Sequence, residues 1–394
     1  MEEKRLRAEL LAELHDNILP FWQERMTDPR GGFYGRMTGC GELVPDAERS
    51  AILYGRILWT FSAAGRTTGR DEYLRTAARA RDYLLEHFVD REHGGVFWSA
   101  DAEGRPLDTK KQFYALAFAI YGLSEYARAT GDRLAAEEAA ALFQAIEAHS
   151  YDPTNNGYEE AAARDWQPIA DMRLSDKDAN ERKTMNTHLH ILEAYTNLLR
   201  VRPDAVLRRQ TRNLLEIFLD RIVDAQTGHL GLFFDEQWQP RSSGIYSFGH
   251  DIEASWLMLE TAFVLGDDAL TERTRACCAR IADAALEGLA EDGSLLYERH
   301  ADGRLDRERH WWVQAECVVG LFYLYRFHGR REALAPALGA WRYIRERLVD
   351  RQGGEWWWSI LPDGSVNRRD DKAGFWKCPY HNGRMCMEVA RLIE

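Results

Sequence analysis

The sequence predicts an all-α fold: an (α/α)6 barrel formed as one domain from residues 1–394, with six inner helices, six outer helices and short β-hairpins on one rim. Three observations predict it. A glycine followed by aromatic residues recurs at Gly32, Gly95, Gly157, Gly228, Gly293 and Gly354, in steps of 63, 62, 71, 65 and 61 residues; such a period marks a repeated supersecondary unit. Between consecutive copies lie two stretches whose apolar residues are spaced by three and four, the period of a helix with a buried face. The first stretch of each pair is apolar almost all round and the second carries a charged face, which sets inner against outer.

The chain opens with one unpaired helix, about 3–24. GGFYGRM at 31 alternates aromatic and polar residues as a short strand does. Residues 47–65 then form the first inner helix, in which ILYGRILWTFSAA is apolar or small at nearly every position, and 71–89 form the first outer one, DEYLRTAARARDYLLEHF, with a charged stripe. GGVFWSADAEG at 94 leads to a second pair at 111–129 and 133–149. NGYEEAAARDW at 156, GHLGLFFDEQW at 228, DGSLLYERHADG at 292 and GGEWWWSILPDG at 353 repeat the hairpin. The last is followed by a single helix, 381–394, which completes a sixth pair with 3–24 if the ring closes. Each loop from a hairpin into an inner helix then reaches the same end of the barrel, so polar residues early in the inner helices converge on one pocket.

Composition narrows the partners. A net charge of −12 excludes nucleic acid and anionic membrane as main partners, since both need a basic surface. No apolar run reaches the length of a membrane span. The start, MEEKRLRAELLAELHDN, lacks the apolar core of a signal peptide; the expected location is cytoplasmic, where the six cysteines stay reduced. The expected partner is a neutral small molecule, and the expected state a monomer or weak homodimer. Thirteen tryptophans and sixteen tyrosines suit sugar rings, which stack on aromatic faces.

In TMNTHLHILEAYTNLLR, Asn186, His190, Glu193 and Asn197 stand at i, i+4, i+7 and i+11, one polar stripe on an apolar helix. His188 lies about 200° round from His190 and falls off that face. SFGHDIEASWLMLE places His250 and Glu253 at i and i+3, with Trp256 at i+6. HWWVQAECVVG supplies Trp312 and Glu316, HNGRMCMEVARL supplies His381, Arg384 and Glu388, and the first two units supply Arg56 and Tyr114. Taken singly, a histidine here is as well explained by core packing, and Arg384 with Glu388 by a local ion pair. Their equivalent positions in different repeats favour a pocket. Imidazole, with an ordinary pKa of about 6.5, takes and returns protons near neutrality. Two imidazoles across a small ligand can remove a proton from one face of a carbon and return one to the other, inverting a stereocentre. An arginine suits the enediolate oxygen that develops. Glu253 and Glu316 would hold sugar hydroxyls or fix histidine tautomers.

The strings NTHLHILEAYTNLL, GHDIEASWLMLE, WWVQAECVVG and WKCPYHNGRMCMEV resemble the N-acylglucosamine 2-epimerase superfamily, most closely its cellobiose 2-epimerase branch. The resemblance implies the same barrel and a metal-free, cofactor-free epimerisation at C2 of the reducing-end aldose of a disaccharide, through ring opening and a cis-enediolate. It implies His381 and His250 as the acid/base pair, with His381 also acting in ring opening, His190 as a third functional histidine, and Arg56 near O1 and O2. It implies Trp312 and Trp376 as sugar-stacking rings, and Tyr114, Asp178, Asn186, Glu253 and Glu316 as pocket residues.

Three alternatives stand beside it. A monosaccharide or N-acylglucosamine 2-epimerase, or a mannose isomerase, would use the same histidines and lack a second sugar subsite at Trp376 and the 166–184 loop. An inverting glycoside hydrolase would use Glu253 and Glu316, set roughly 6.5–9.5 Å apart. The spacing of Cys378, His381 and Cys386 invites a zinc site, which needs a fourth ligand and thiolates facing the histidine; the barrel instead assigns His381 to the pocket, and the expected metal complement is none.

Overall fold

The computed structural model describes residues 2–241 and 244–393. Among them, inner helices α2 (Ala51–Thr68), α4 (Phe113–Thr130), α6 (Met185–Leu199), α8 (Phe248–Leu265), α10 (Trp311–Phe327) and α12 (Tyr380–Leu392) alternate with outer helices α1 (Glu2–Glu13), α3 (Asp71–Tyr83), α5 (Arg133–His149), α7 (Ala205–Ile217), α9 (Asp268–Ala285) and α11 (Leu334–Tyr343). Each inner helix packs on the next, and α12 packs on α2, so the ring closes; α1 covers α12 and completes the sixth pair. Every residue of α2 from Ala51 to Gly65 and of α4 from Phe113 to Ala127 is buried. A helix enclosed by neighbours on all sides needs apolar residues all round, and this is why the inner stretches lost their amphipathic stripe. No described helix is long and apolar enough to cross a membrane.

The helix boundaries agree with the sequence reading to within a few residues, except that several outer helices end in a widened i→i+5 turn, as at Leu84–Phe88, Phe218–Ile222 and Ile344–Leu348.

The rim differs from the expected hairpins. In most units the hairpin is reduced to isolated bridges such as Val89 with Val96 and Tyr151 with Tyr158; the fifth keeps a short ladder, Glu298–Arg299 with Leu305–Asp306. The ladders run mostly between units: the strand entering one inner helix pairs antiparallel with the next unit's strand, Arg49–Ser50 with Ser99–Ala100, Lys111–Gln112 with Ala161–Ala162, and Lys183–Thr184 with Phe233–Phe234. Arg36–Met37 pairs with Ala373–Gly374 and joins the first unit to the last. With two residues per strand, intrinsic alternation is too weak to choose a partner, and the helix packing chooses it.

A recurring aspartate pins most of the loops to this belt. Asp90 accepts from the Glu92 and His93 amides and from Lys111 Nζ at 2.9 Å; Asp152 accepts from the Thr154 and Asn155 amides and from Lys183 Nζ at 2.8 Å. Asp28 with Arg49 and Asp350 with Lys372 repeat the pairing. Each cation comes from, or directly precedes, a belt strand, so the ion pair ties the loop to the wall that carries the site.

Candidate active site

The first turns of the inner helices meet in one cavity of about 480 Å³. Small residues set how closely α2 and α4 cross: a Cβ on Gly55 would lie 2.6 Å from the Phe118 carbonyl oxygen, and one on Gly122 2.5 Å from that of Gly55. The crossing brings Arg56 to Tyr114. Arg56 Nη2 donates to the Tyr114 hydroxyl at 2.8 Å and Nη1 to the Trp376 carbonyl at 3.0 Å, while the guanidinium lies 4.2 Å from the Phe118 ring centroid. Among the described residues no carboxylate lies within ion-pair distance of Arg56, although it is buried. A buried cation without an anionic partner is unusual, and this one lines the cavity.

Three imidazoles line the same cavity, each with Nδ1 already engaged. His381 Nδ1 lies 2.7 Å from Glu316 Oε1, His190 Nδ1 2.9 Å from Glu193 Oε2, and His250 Nδ1 2.8 Å from Ser247 Oγ. A carboxylate accepts only, so Glu316 and Glu193 fix the Nδ1–H tautomer and leave Nε2 as the basic nitrogen. Ser247 precedes α8, where Ser50 and Thr184 cap α2 and α6; its hydroxyl is turned to His250 instead. A hydroxyl both donates and accepts, so His250 keeps either tautomer. Burial pushes His381 and His250 down to about 3, against a partial opposing pull from Glu316 in each case; burial also lowers His190. All three rings are neutral near pH 7.

His188 is the structural histidine that the helical period separated from His190. Its Nδ1 pairs with the Thr184 carbonyl at 2.7 Å and its Nε2 accepts from the Tyr158 amide at 2.9 Å. Both nitrogens are consumed in holding the loop to α6.

The aromatic and loop residues fall into place around the histidines. The Trp312 ring centroid lies 4.8 Å from that of His250 and 5.7 Å from that of His381. Trp376 flanks Tyr114 at 6.2 Å. Asp178, whose carboxylate accepts from the Ser175 amide and hydroxyl, lines the cavity together with Asn186 and Glu253. Asn186 Oδ1 is buried and accepts no hydrogen bond from the described residues, an acceptor presented to a ligand hydroxyl.

Glu316 and Trp256, expected as sugar contacts, sit behind the cavity wall. Trp256 Nε1 donates to Glu316 Oε2 at 2.9 Å, and Glu316 Oε1 faces His381 and Arg384. Their place is set by the i+4 and i+6 offsets, which carry them one turn deeper than Trp312 and His250. Glu388 and Asn197 are also away from the cavity: Glu388 accepts from Tyr323 and pairs with Arg391, and Asn197 donates to the Tyr121 carbonyl.

Arg384 does not pair with Glu388. Its Nη2 donates to Glu253 and to Glu316, both at 2.7 Å, and its Nη1 to Glu193. Burial resists ionisation of Glu193, but Arg384 and His190 outweigh it and hold the group down at about 2. Burial and the adjoining Glu316 push Glu253 the other way, up to about 8. Two carboxyls on one guanidinium nitrogen titrate as a pair, and Glu253 is the member that gains a proton more readily, since Glu316 already has three donors.

Glu253, Glu316 and His381 form the one group of potential metal-ligand side chains found among the described residues, their ligand atoms within 4.8 Å of one another. Arg384 supplies the positive charge there. Cys378 and Cys386 are buried free thiols outside this group, so the Cys-His-Cys spacing does not assemble. The same proximity is shorter than the separation an inverting hydrolase needs.

Sequence reasoning missed Glu160, Tyr297, Trp358 and Trp311, which also line the cavity. A signal for three of them was present. Glu160, Tyr297 and Trp358 lie three or four residues after a repeat glycine, directly before a belt strand. In that register the amide opening an inner helix donates to the carbonyl of the residue before the partner strand, as Phe113 does to Glu160 and Trp311 to Trp358.

Residues 32–383 match the model of the N-acylglucosamine 2-epimerase (GlcNAc 2-epimerase) family. The chain is 57% identical over 386 residues to a cellobiose 2-epimerase of Bacteroides fragilis, covering 98% of each. It is 40% identical over 383 residues to one of Ruminococcus albus, covering 97% of each. It superposes on the cellobiose 2-epimerase of Bacillus thermoamylovorans with a TM-score of 0.94 at 37% identity, covering 98% of this chain and 99% of that one.

Proposed function

The chain belongs to the N-acylglucosamine 2-epimerase family, and from that premise we propose that it epimerises C2 of the reducing-end aldose of a β-1,4-linked disaccharide, cellobiose to glucosyl-mannose and lactose to epilactose. One observation carries the reading: neutral His381 and His250 share a cavity with Arg56, a buried cation left without a carboxylate. After ring opening, one imidazole takes the C2 proton. The C–H electron pair enters the C1–C2 bond and the carbonyl pair moves to O1, giving a cis-enediolate whose charge Arg56 meets with the help of the Tyr114 hydroxyl. Rotation about C2–C3 turns the other face, and the second ring, which has taken a proton from solvent onto Nε2, returns it to C2 as O1 collapses to the aldehyde, leaving that ring neutral and the first as the imidazolium. Exchange with solvent resets the two rings. His190 lies against Tyr114, ring centroids 4.9 Å apart, and assists at the same oxygens.

A disaccharide is favoured over a single sugar because the wall extends beyond the histidines: Trp376 and the loop from Arg173 to Ala179 both line the cavity. Trp312 and Trp376 supply the stacking faces. A reducing, cytoplasmic setting fits six free cysteines, and a monomer or weak homodimer is the expected state. Metal-independent turnover fits the guanidinium seated on the carboxylate cluster. EDTA should leave the rate unchanged; a loss restored by added divalent metal would reject that part.

The deciding experiment is incubation with cellobiose in D2O, followed by NMR of the product. Deuterium at C2 of the epimer is expected. Epimer carrying only the original proton, or release of glucose without epimer, would overturn the reading.

A further inference from the structure

Arg384 lines no part of the cavity, yet it touches the hydrogen-bond partner of two of the three histidines that do. Its Nη1 donates to Glu193 Oε1, whose other oxygen holds His190 Nδ1. Its Nη2 donates to Glu316 Oε1, the oxygen that holds His381 Nδ1. The contacts lie 191 and 68 residues apart in sequence and join α12 to α6 and α10. Tyr380, four residues before Arg384, donates to Glu193 at 2.5 Å, and the guanidinium stacks 4.6 Å from the Trp256 centroid. Trp256 in turn donates to Glu316. The guanidinium lies against the Trp256 and Tyr380 rings, with Nη1 on Glu193 and Nη2 shared by Glu316 and Glu253.

We propose that Arg384 is a positioning residue that couples His190 to His381: one guanidinium fixes both histidine-orienting carboxylates, so the tautomer and angle of one imidazole depend on the other's partner. A planar fork with five donors spans two carboxylates in fixed directions, whereas a lysine ammonium on a flexible stem does not. The arrangement lets charge that develops on His381 during proton transfer be felt at His190 without contact between the rings. Groups acting through a shared partner show non-additive effects, and groups acting separately show additive ones.

The inference rests on the epimerase reading of His190 and His381. The test is a double-mutant cycle of Glu193→Gln and Glu316→Gln, measured as kcat and KM for cellobiose, in the wild-type and Arg384→Lys backgrounds. In the wild-type background the double variant should lose about tenfold less kcat than the product of the single losses, because either change already disables the shared clamp. In the Arg384→Lys background the losses should multiply to within about threefold, and within either background KM should move by less than about threefold on the glutamate changes, since neither Glu193 nor Glu316 lines the cavity. Multiplying losses in the wild-type background, or non-additivity undiminished by Arg384→Lys, would overturn the coupling. Where turnover of the double variant is too low to measure, 15N spectra of histidine-labelled protein decide: Glu316→Gln, which touches only His381 directly, should shift the His190 ring nitrogens, and an unmoved His190 signal rejects the proposal. A wild-type enzyme without epimerase activity would reject the underlying reading instead, and the spectra test the coupling without it.

Discussion

The indole of Trp312 lies against the imidazole of His250, ring centroids 4.8 Å apart, with the His381 centroid 5.7 Å from the same indole. One flat ring therefore neighbours both candidate bases, and in the proposed reading its remaining surface stacks on the sugar. Trp312→Ala should lower kcat/KM for cellobiose by roughly 10- to 100-fold, in line with about 1.5–3 kcal/mol for a lost stacking platform, with both kcat and KM affected. A change confined to KM would show that the ring only binds.

His381→Asn and His250→Asn should each reduce epimerisation by at least about a thousandfold without loss of helical circular dichroism, since one imidazole cannot serve both faces of C2. Each variant should still exchange the C2 proton with solvent on the face its remaining histidine serves. Substantial epimer from either variant would reject the two-base assignment.

The pH dependence follows from burial. A base works when unprotonated, and His381 and His250 are pushed down to about 3 from the ordinary 6.5. The ring that accepts the C2 proton therefore stays competent well into acid, and kcat/KM measured from pH 8 down to pH 5 should show no fall through 6.5 from loss of that base. A fall centred near 6.5 would place an ordinary histidine pKa in the free enzyme.

Lys183 is fully buried and gives its three protons to Asp152, the Asn156 carbonyl and the Glu236 carbonyl. Lys183→Met should destabilise the protein by about 3 kcal/mol, the order expected when a buried pair loses one member, seen as a lower Tm at pH 7. Burial resists ionisation of Asp152, but Lys183 and the turn amides hold it down at about 2 from its ordinary 3.8. Its contribution is therefore complete above about pH 4 and lost as pH falls towards 2. The Tm gap between wild type and variant should narrow over that window; a constant gap would mean that Lys183 acts by packing alone.

The inner helices were legible because enclosure leaves a direct trace: a segment surrounded by protein must be apolar or small at nearly every position, and GRILWTFSAA is, with Arg56 its one charged residue. The 3.6-residue period separated His190 from His188 correctly, because side-chain direction on a helix depends on offset alone. The partners of Arg384 were not legible. Glu388 stands at the favourable i+4 position, whereas the carboxylates that hold Arg384 come from α6, α8 and α10, and no local rule ranks a contact made by ring closure. The belt was missed for a related reason. Ladders two residues long carry little preference of their own, and their partners, about 50 residues away in most cases, follow from how the helices stack.

The pairing of Arg36–Met37 with Ala373–Gly374 lies six residues before Tyr380, where the helix bearing His381 begins. During synthesis from the N-terminus, a nascent chain cut before residue 373 already holds five inner helices, yet it has an open seam and neither His381 nor Arg384. On the reading proposed above, catalytic competence therefore arrives in one step, at the moment the hoop is latched.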